Sequence, residues 1–310
     1  MGRKVTIKEL VKVIDLEVLA GVEGVNGVIT DEEITFPWLE FTGVFKYFEA
    51  TRVCLIGSKE ATYLKEIGDE LAHERVKGLF EHNPCCFVFS RNVVVPSYFI
   101  ELGNKHNVPI LKSQLRTTSL NSKLFGFLCS RLSPRQSVHG VLMDINGMGT
   151  LIIGKSGIGK SETALELVKR GHQLIADDRV EIYEKEVGVL IGEAPETIAQ
   201  YLEVRGVGII NVMHMFGAGA YRENKKIRLV IELEQWNKDK YYDRLGLESE
   251  KVTYFNTELP KIVIPILPGR NNAVLVESAA TNQKLKYLGL DGAKTLTERI
   301  GRLSRGEGND

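Results

Sequence analysis

The chain has few cysteines, no excess charge of either sign and no long apolar run. Its four cysteines, Cys54, Cys85, Cys86 and Cys129, lie in a sequence of 310 residues without the spacing of metal ligands. Reduced thiols are therefore expected. If Cys85 to Phe89 is a strand, the adjacent Cys85 and Cys86 point to opposite faces. Lysine and arginine total 40 and aspartate and glutamate 40, which removes any global attraction to nucleic acid or an anionic membrane. No run approaches the ~20 apolar residues of a membrane span. Met1-Gly2-Arg3-Lys4-Val5-Thr6 lacks the apolar core of a secretory signal, and the Arg3-Lys4 pair argues against reading Gly2 as a lipid anchor. A cytoplasmic protein without nucleic-acid or membrane partners is expected. At 43% hydrophobic content the length suffices for two domains.

What is present is concentrated in one motif. Gly154-Lys155-Ser156-Gly157-Ile158-Gly159-Lys160-Ser161 has the G-x-x-x-x-G-K-S spacing of a phosphate-binding loop. The apolar stretch Thr150 to Ile153 precedes it. The helical pattern Glu162 to Arg170 follows, with Gly171 placed as a C-terminal cap. Backbone N–H groups at such a helix start hold phosphate oxygens. Lys160 is expected to reach the β- and γ-phosphates of a nucleotide, and the Ser161 hydroxyl to ligate magnesium.

Residues 1–132 read as a separate α/β domain. Thr6 and Glu9 form a capping box for a helix through Leu10 and Val11. Strands are expected at Val53 to Gly57, at Cys85 to Phe89 and, with a proline suited to a sheet edge, at Val108 to Leu111. Helices are expected from Ser58, over Tyr98 to Leu102 with Gly103 ending it, and over Leu120 to Leu132. Alternation of this kind favours a sheet covered by helices.

The turn-forming run Leu132 to Ser137 starts a second domain at residue 133 that extends to 310. Val138 to Ile145 and the strand into the phosphate loop, joined by the turn at Asn146 to Gly149, read as a hairpin with His139 at one end. Leu174-Ile175-Ala176 runs into Asp177-Asp178. On a regular strand these two carboxylates face opposite ways, so one faces the transferred phosphoryl group and the other local backbone or a water. Pro195 to Leu202 reads as a helix, followed by an acid and a base, Glu203 and Arg205, beside a turn. Glu203 is a candidate for a second magnesium or a water, and Arg205 for phosphate or for pairing with a carboxylate. In Ile227 to Glu234 the period of two places Ile227, Leu229, Ile231 and Leu233 on one buried face. Arg244 in Asp243-x-x-Gly246 is a further phosphate-binding candidate, and the stiff turn Pro265 to Asn271 carries Arg270. Helical patterns run from there to Lys286 and over Lys294 to Leu303, the latter with apolar residues suited to an oligomer contact.

Taken together, these blocks resemble the HPr kinase/phosphorylase family of bacterial carbon-catabolite control. The resemblance rests on Ser137 to Leu142, Gly154 to Gly171 and His172 to Asp178. It also rests on the block Leu202-Glu203-Val204-Arg205-Gly206-Val207-Gly208-Ile209-Ile210-Asn211-Val212. Phe216 to Ala220, Tyr242 to Gly246 and Ile264-Pro265 with Pro268 to Asn271 agree as well. In the first half Glu40 to Phe45 follows the family's Glu-x-x-Gly-x-Phe pattern more loosely. The resemblance implies a P-loop kinase-like catalytic domain, related in form to the nucleotide-dependent carboxykinases, behind the N-terminal α/β domain. It implies a serine protein kinase that phosphorylates the phosphocarrier protein HPr from ATP or pyrophosphate with Mg2+. It also implies phosphorolysis of seryl-phosphorylated HPr, in which inorganic phosphate attacks and pyrophosphate leaves.

The resemblance further assigns Asp178 as the group that takes and returns the serine proton. His139, Lys160 and Arg244 fall on catalytic positions, and Ser161 and Glu203 on magnesium-linked ones. Leu202 to Asn211 serves both reactions. The segment Pro265-Ile266-Leu267-Pro268-Gly269-Arg270 serves mainly dephosphorylation. A homohexamer and an effector, fructose 1,6-bisphosphate, are implied in the same way. Two positions depart from the pattern: Leu267 replaces a customary basic residue, and Thr35-Phe36-Pro37-Trp38 replaces Ser-Arg-Pro-Gly. Three rival readings have less support. A small-molecule kinase needs an acceptor pocket that no segment marks, and a GTPase switch needs an Asn-Lys-x-Asp motif that the chain lacks. A nucleotide-gated regulatory protein would bind a partner without phosphate transfer.

Overall fold

A computed structural model describes residues 4–242, 250–267 and 269–304. The expected site residues Arg244 and Pro268 lie outside the described residues. The chain divides into two compact units, Met1–Pro134 and Arg135–Asp310, and both are mixed α/β.

In the first unit five strands form a sheet in the order Glu17–Ala20, Ile110–Lys112, Phe87–Phe89, Val53–Ile56, Ile34–Thr35. The last four run parallel and the first antiparallel. Alternation along these strands feeds two cores. Cys54, Ile56, Phe87 and Phe89 pack with Leu64, Val76, Phe80 and Phe99 of the helices Ser58–Glu66, Asp69–Glu81 and Ser97–His106. Val53, Leu55 and Val88 pack with Leu10, Leu120, Leu124 and Leu128 of the helices Ile7–Ile14 and Thr117–Leu132. The expected capping box is formed: the Glu9 N–H donates to Thr6 Oγ1 (3.2 Å) and the Thr6 N–H to Glu9 Oε2 (2.9 Å).

Three expectations in this unit change. Gly103 does not end its helix, which continues to His106 and is capped by Asn107 at φ 54°. Gly103 is instead a close approach, since a Cβ there would lie 2.6 Å from Ile110 Cγ1. Ile110–Lys112 is an inner strand, so Pro109 precedes it and contributes its carbonyl to the Phe87 N–H (2.9 Å). Cys85 and Cys86 also precede their strand, and their Sγ atoms lie 3.9 Å apart rather than on opposite faces.

In the second unit nine strands of the described residues form one sheet. Its main path runs Gln173–Ala176, Val141–Ile145, Met148–Gly154, Asn224–Gln235, Val189–Glu193, Arg179–Glu186, Arg135–His139. Thr257–Ile266 pairs parallel with Asn224–Gln235, which is itself parallel to Met148–Gly154; Glu250–Tyr254 pairs antiparallel with Thr257–Ile266. The helices Lys160–Lys169 and Asn272–Tyr287 cover one face, with Ala164, Leu167, Val276 and Ala280 against Val141, Met143, Ile152 and Ile231. A register shift beside Gly149 moves Ile227 to the opposite face, with Val230, away from the expected row of Leu229, Ile231 and Leu233.

Two further corrections concern the site directly. Val138 to Ile145 is not one arm of a hairpin. The chain changes partner at Gly140: His139 pairs with Arg179, whereas Val141 pairs with Ile152. A Cβ on Gly140 would lie 2.7 Å from the Ile152 carbonyl oxygen, so the crossover needs glycine. The helix expected over Pro195 to Leu202 is a short 3-10 turn, Glu196–Ile198, followed by the strand Tyr201–Val204 paired with Gly208–Asn211. Leu202 and Val204 are buried while Tyr201 and Glu203 are exposed, a period of two that belongs to a strand.

Candidate active site

The phosphate loop lies between Met148–Gly154 and the helix Lys160–Lys169, as its spacing predicts. Gly154, Gly157 and Gly159 take φ values of 147°, 81° and 97°, a region that side chains other than glycine rarely enter. No side chain caps the helix start, which leaves its first N–H groups to a phosphate. The helix ends in a Schellman motif: Gly171 N–H donates to Val168 O (2.9 Å) and His172 N–H to Leu167 O (3.1 Å).

Lys160 is buried, and its ammonium donates to the carbonyls of Gly154 (2.9 Å) and Lys155 (3.2 Å). Burial lowers its pKa, against the opposing pull of Asp177 and Asp178. Its third contact is His139 Nε2 at 3.1 Å. An ammonium offers only protons, so Nε2 is assigned as the lone-pair nitrogen and Nδ1 as the protonated one. Nδ1 faces Asp178, 3.0 Å from its carbonyl and 3.1 Å from its Oδ1.

The adjacent carboxylates are separated by a turn rather than by strand alternation. The strand ends at Ala176. Asp178 then takes φ 64°, and the Arg179 N–H closes back on the Asp177 carbonyl (2.7 Å). The left-handed conformation costs on the order of 1 kcal/mol for a residue with a side chain. It leaves Asp178 exposed at the cleft mouth and Asp177 buried behind it. Asp177 accepts from Ser161 Oγ (2.9 Å) and from the Glu203 N–H (3.1 Å). Burial raises its pKa, partly offset by those hydrogen bonds.

His139, Ser156, Gly157, Gly159, Lys160, Ser161, Asp178, Glu203 and Arg205 thus line one cleft of about 150 Å³, together with Glu162 and Asp177, which were not among the expected site residues. Asp177 was legible as one of an Asp pair. Its tie to Ser161 and Glu203 was not, because it joins segments far apart in the chain. Arg205 reaches the loop from the hairpin turn; a Cβ on Gly157 would sit 2.9 Å from its Nη1. The remaining expected residues among those described do not line the cleft. Gly154 and Lys155 contribute carbonyls from its edge, and Ile158 packs on the core. Leu202 and Val204 are buried, Ile210 packs against that core, and Val207 and Ile209 are exposed. Gly206 and Gly208 hold positive φ in the hairpin, and Asn211 caps the short helix Val212–Phe216 by accepting from the His214 N–H (2.9 Å). Pro265 and Ile266 end their strand, and Leu267, Gly269 and Arg270 form the turn into the helix Asn272–Tyr287. That helix start is near the loop: Asn272 Nδ2 is 3.9 Å from where a Gly159 Cβ would be.

A family model described as HPr Serine kinase C-terminal domain matches residues 130–300, and one described as HPr Serine kinase N terminus matches residues 5–128. The chain belongs to the HPr serine kinase family. Curated relatives named HPr kinase/phosphorylase from Bacillus velezensis and Bacillus subtilis are each 47% identical over 297 residues, spanning 96% of this chain and 96% of their own. A solved structure, the Hpr(Ser) kinase/phosphatase from Coxiella burnetii, is 36% identical with a TM-score of 0.48, covering 52% of this chain and 98% of that one. The protein is accordingly a phosphotransferase of the kinase/phosphorylase type.

Proposed function

We propose that this enzyme phosphorylates a serine of the phosphocarrier protein HPr from ATP or pyrophosphate, and reverses that reaction by phosphorolysis. The observation that carries the reading is the line Lys160–His139–Asp178, which joins the phosphate loop to an exposed carboxylate at the cleft mouth. The phosphate loop and Lys160 hold the donor, and the open mouth admits the seryl side chain of a folded protein. Asp178 takes the proton as the serine oxygen attacks the terminal phosphorus. In reverse, a phosphate oxygen attacks the seryl phosphorus, the serine oxygen–phosphorus bond breaks, and Asp178 returns the proton to the leaving oxygen. His139 orients Asp178 through its Nδ1–H.

The cleft carries the carboxylates of Glu162, Asp177, Asp178 and Glu203 against the cations Lys160 and Arg205. A phosphate group therefore needs added positive charge to enter. The Ser161 hydroxyl, Asp177 and Glu203 are hard oxygen donors, the set that suits Mg2+. These residues would hold the ion, which supplies charge neutralisation on the transferred group. Arg205 binds phosphate, and Arg244 acts as the catalytic arginine that the resemblance assigns. Leu202 to Asn211 supports both directions, and Pro265 to Arg270, Pro268 included, the dephosphorylating one.

Family membership also supports a cytoplasmic homohexamer that responds to fructose 1,6-bisphosphate in carbon catabolite control. No helix among the described residues is long and apolar enough to cross a membrane. The domain reading, residues 1–132 for regulation or assembly and 133–310 for catalysis, belongs to the same proposal. Paired assays test it: purified HPr with ATP or pyrophosphate and Mg2+, and seryl-phosphorylated HPr with inorganic phosphate. Phosphate transfer in the first and pyrophosphate release in the second are expected. Nucleotide binding without transfer in either direction would reject the reading in favour of a nucleotide-gated regulator.

A further inference from the structure

The parallel sheet of the first unit ends at a second cavity, of about 530 Å³, within the range of small-molecule sites. Phe36, Gly57 and Ser90, which line it, each directly follow one of the parallel strands. The carboxyl ends of such strands are where open α/β sheets hold their ligands.

Two helix starts meet at this edge. Gly57 precedes the helix Ser58–Glu66, and a Cβ on it would lie 2.8 Å from Thr117 Cγ2, in the first turn of the 16-residue helix Thr117–Leu132. Glu60 serves its own helix, accepting the Gly57 N–H at 2.9 Å. The helix Thr117–Leu132 has no side-chain cap and no acidic residue in its first turn. Its free N–H groups and positive dipole end are left for an anion. Lys59 and Arg116 line the cavity as well, and neither forms an ion pair among the described residues.

A hydroxyl pair, one member buried and the other in the first turn of that helix, lines the same cavity. Ser90 is 2% exposed, and Thr117 Oγ1 lies 3.0 Å from its Oγ. The two hydroxyls carry two protons, and their mutual bond uses one. The other has no acceptor among the described residues and is available to an oxygen in the cavity. The rings of Phe36 and Trp38, 36% and 39% exposed, line the same cavity, in the segment where the chain departs from the family pattern.

We propose that this cavity binds a phosphomonoester of a ring-bearing small molecule. The phosphate sits against Arg116, Lys59 and the Ser90–Thr117 hydroxyls, and the ring against Trp38 and Phe36. A nucleoside monophosphate and a sugar phosphate share that chemistry, and both serve as probes.

The chain has two tryptophans, so Trp236→Phe leaves Trp38 as a reporter in the cavity. Full-length Trp236→Phe protein is titrated with uridine monophosphate, with glucose 6-phosphate and with inorganic phosphate. A saturable change in Trp38 emission is expected with at least one ester, tighter than with inorganic phosphate. Arg116→Ala and Lys59→Ala should each weaken that binding at least tenfold at unchanged Tm. Both residues are exposed, so folding should not depend on them, and the phosphate loop is unaltered in both. A preference for the nucleotide assigns the ring contact to a base, and the opposite preference to a sugar. No saturable change with any probe, or affinity unaltered in both variants, overturns the site. Inorganic phosphate binding as tightly as either ester overturns the ring contact.

Discussion

His139 Nδ1 lies 3.1 Å from Asp178 Oδ1 while Nε2 of the same ring lies 3.1 Å from the Lys160 ammonium. One imidazole therefore spans from the buried lysine of the phosphate loop to the exposed carboxylate at the cleft mouth, the groups we propose to meet donor and acceptor. A neutral ring can occupy this position only with its proton toward Asp178, and that proton fixes the carboxylate's orientation. The position exists because the chain changes strand partner at Gly140 and because Asp178 adopts the left-handed conformation.

Replacing Asp178 with Asn should lower both transfer directions by about 10²–10⁴-fold, the range for losing a positioned acid–base group. Nucleotide binding should persist, because Asp178 lies at the mouth and not in the loop. Single-turnover transfer in each direction, with nucleotide affinity measured alongside, checks this; normal transfer would remove Asp178 from the chemistry.

Lys160→Ala should weaken use of ATP and pyrophosphate by roughly 10–100-fold, since a charged hydrogen-bond donor to phosphate is lost. The same variant frees His139 Nε2 and should alter the pH profile of transfer. Unchanged kinetics with both donors would refute the assignment.

Leu267→Arg restores a cation in the turn leading to the helix start beside the phosphate loop. Phosphorolysis should rise roughly 2–5-fold, the size of a solvent-exposed charge contribution, and kinase activity should change less. Equal effects on the two directions would separate Leu267 from the balance between them.

Asp177 supplies a pH prediction. Its folded pKa is raised by burial, so the folded state holds this proton more tightly than the unfolded chain. The contribution is most favourable below the unfolded carboxyl value and declines as pH rises through the raised folded value. Asp177 should pull the Tm of the metal-free protein down across that acidic window, so Asp177→Asn should make the Tm–pH slope less negative. An identical slope in the variant would show that Asp177 does not contribute to it.

Gly140→Ala should destabilise the second unit by about 1–3 kcal/mol, as an inserted methyl group does in a packed position, because its Cβ meets the Ile152 carbonyl. Urea unfolding measures this. Transfer should fall with it as His139 is displaced, and wild-type stability in the variant would show that the crossover does not need glycine.

Much of this was legible in the residues because it depends on neighbours in the chain. The phosphate loop, its helix and the Gly171 cap are set by local φ requirements and hydrogen bonds within a few residues. So are the Thr6–Glu9 capping box and the strand over Ile227 to Glu234. The departures from local pattern have a common physical source. The local pattern of Pro195 to Leu202 favours a helix and Gly103 suits a helix stop, yet Leu202 and Val204 are drawn into a strand by burial and Gly103 is chosen by contact with Ile110. Ile227 left its expected row because a shift in pairing beside Gly149 changed the register.

By itself the sequence determined that this chain carries the motif of a phosphate-binding loop, where that loop begins and ends, and to which family its blocks belong. These features rest on short-range geometry and on the order of motifs. Only the tertiary structure decided that Asp177 faces Ser161 and Glu203 while Asp178 faces His139. It also decided that Arg205 reaches Gly157, and that the first unit's sheet ends at a cavity between two helix starts. Each of these joins residues distant along the chain, and strand pairing and side-chain burial, which no local pattern encodes, bring them together.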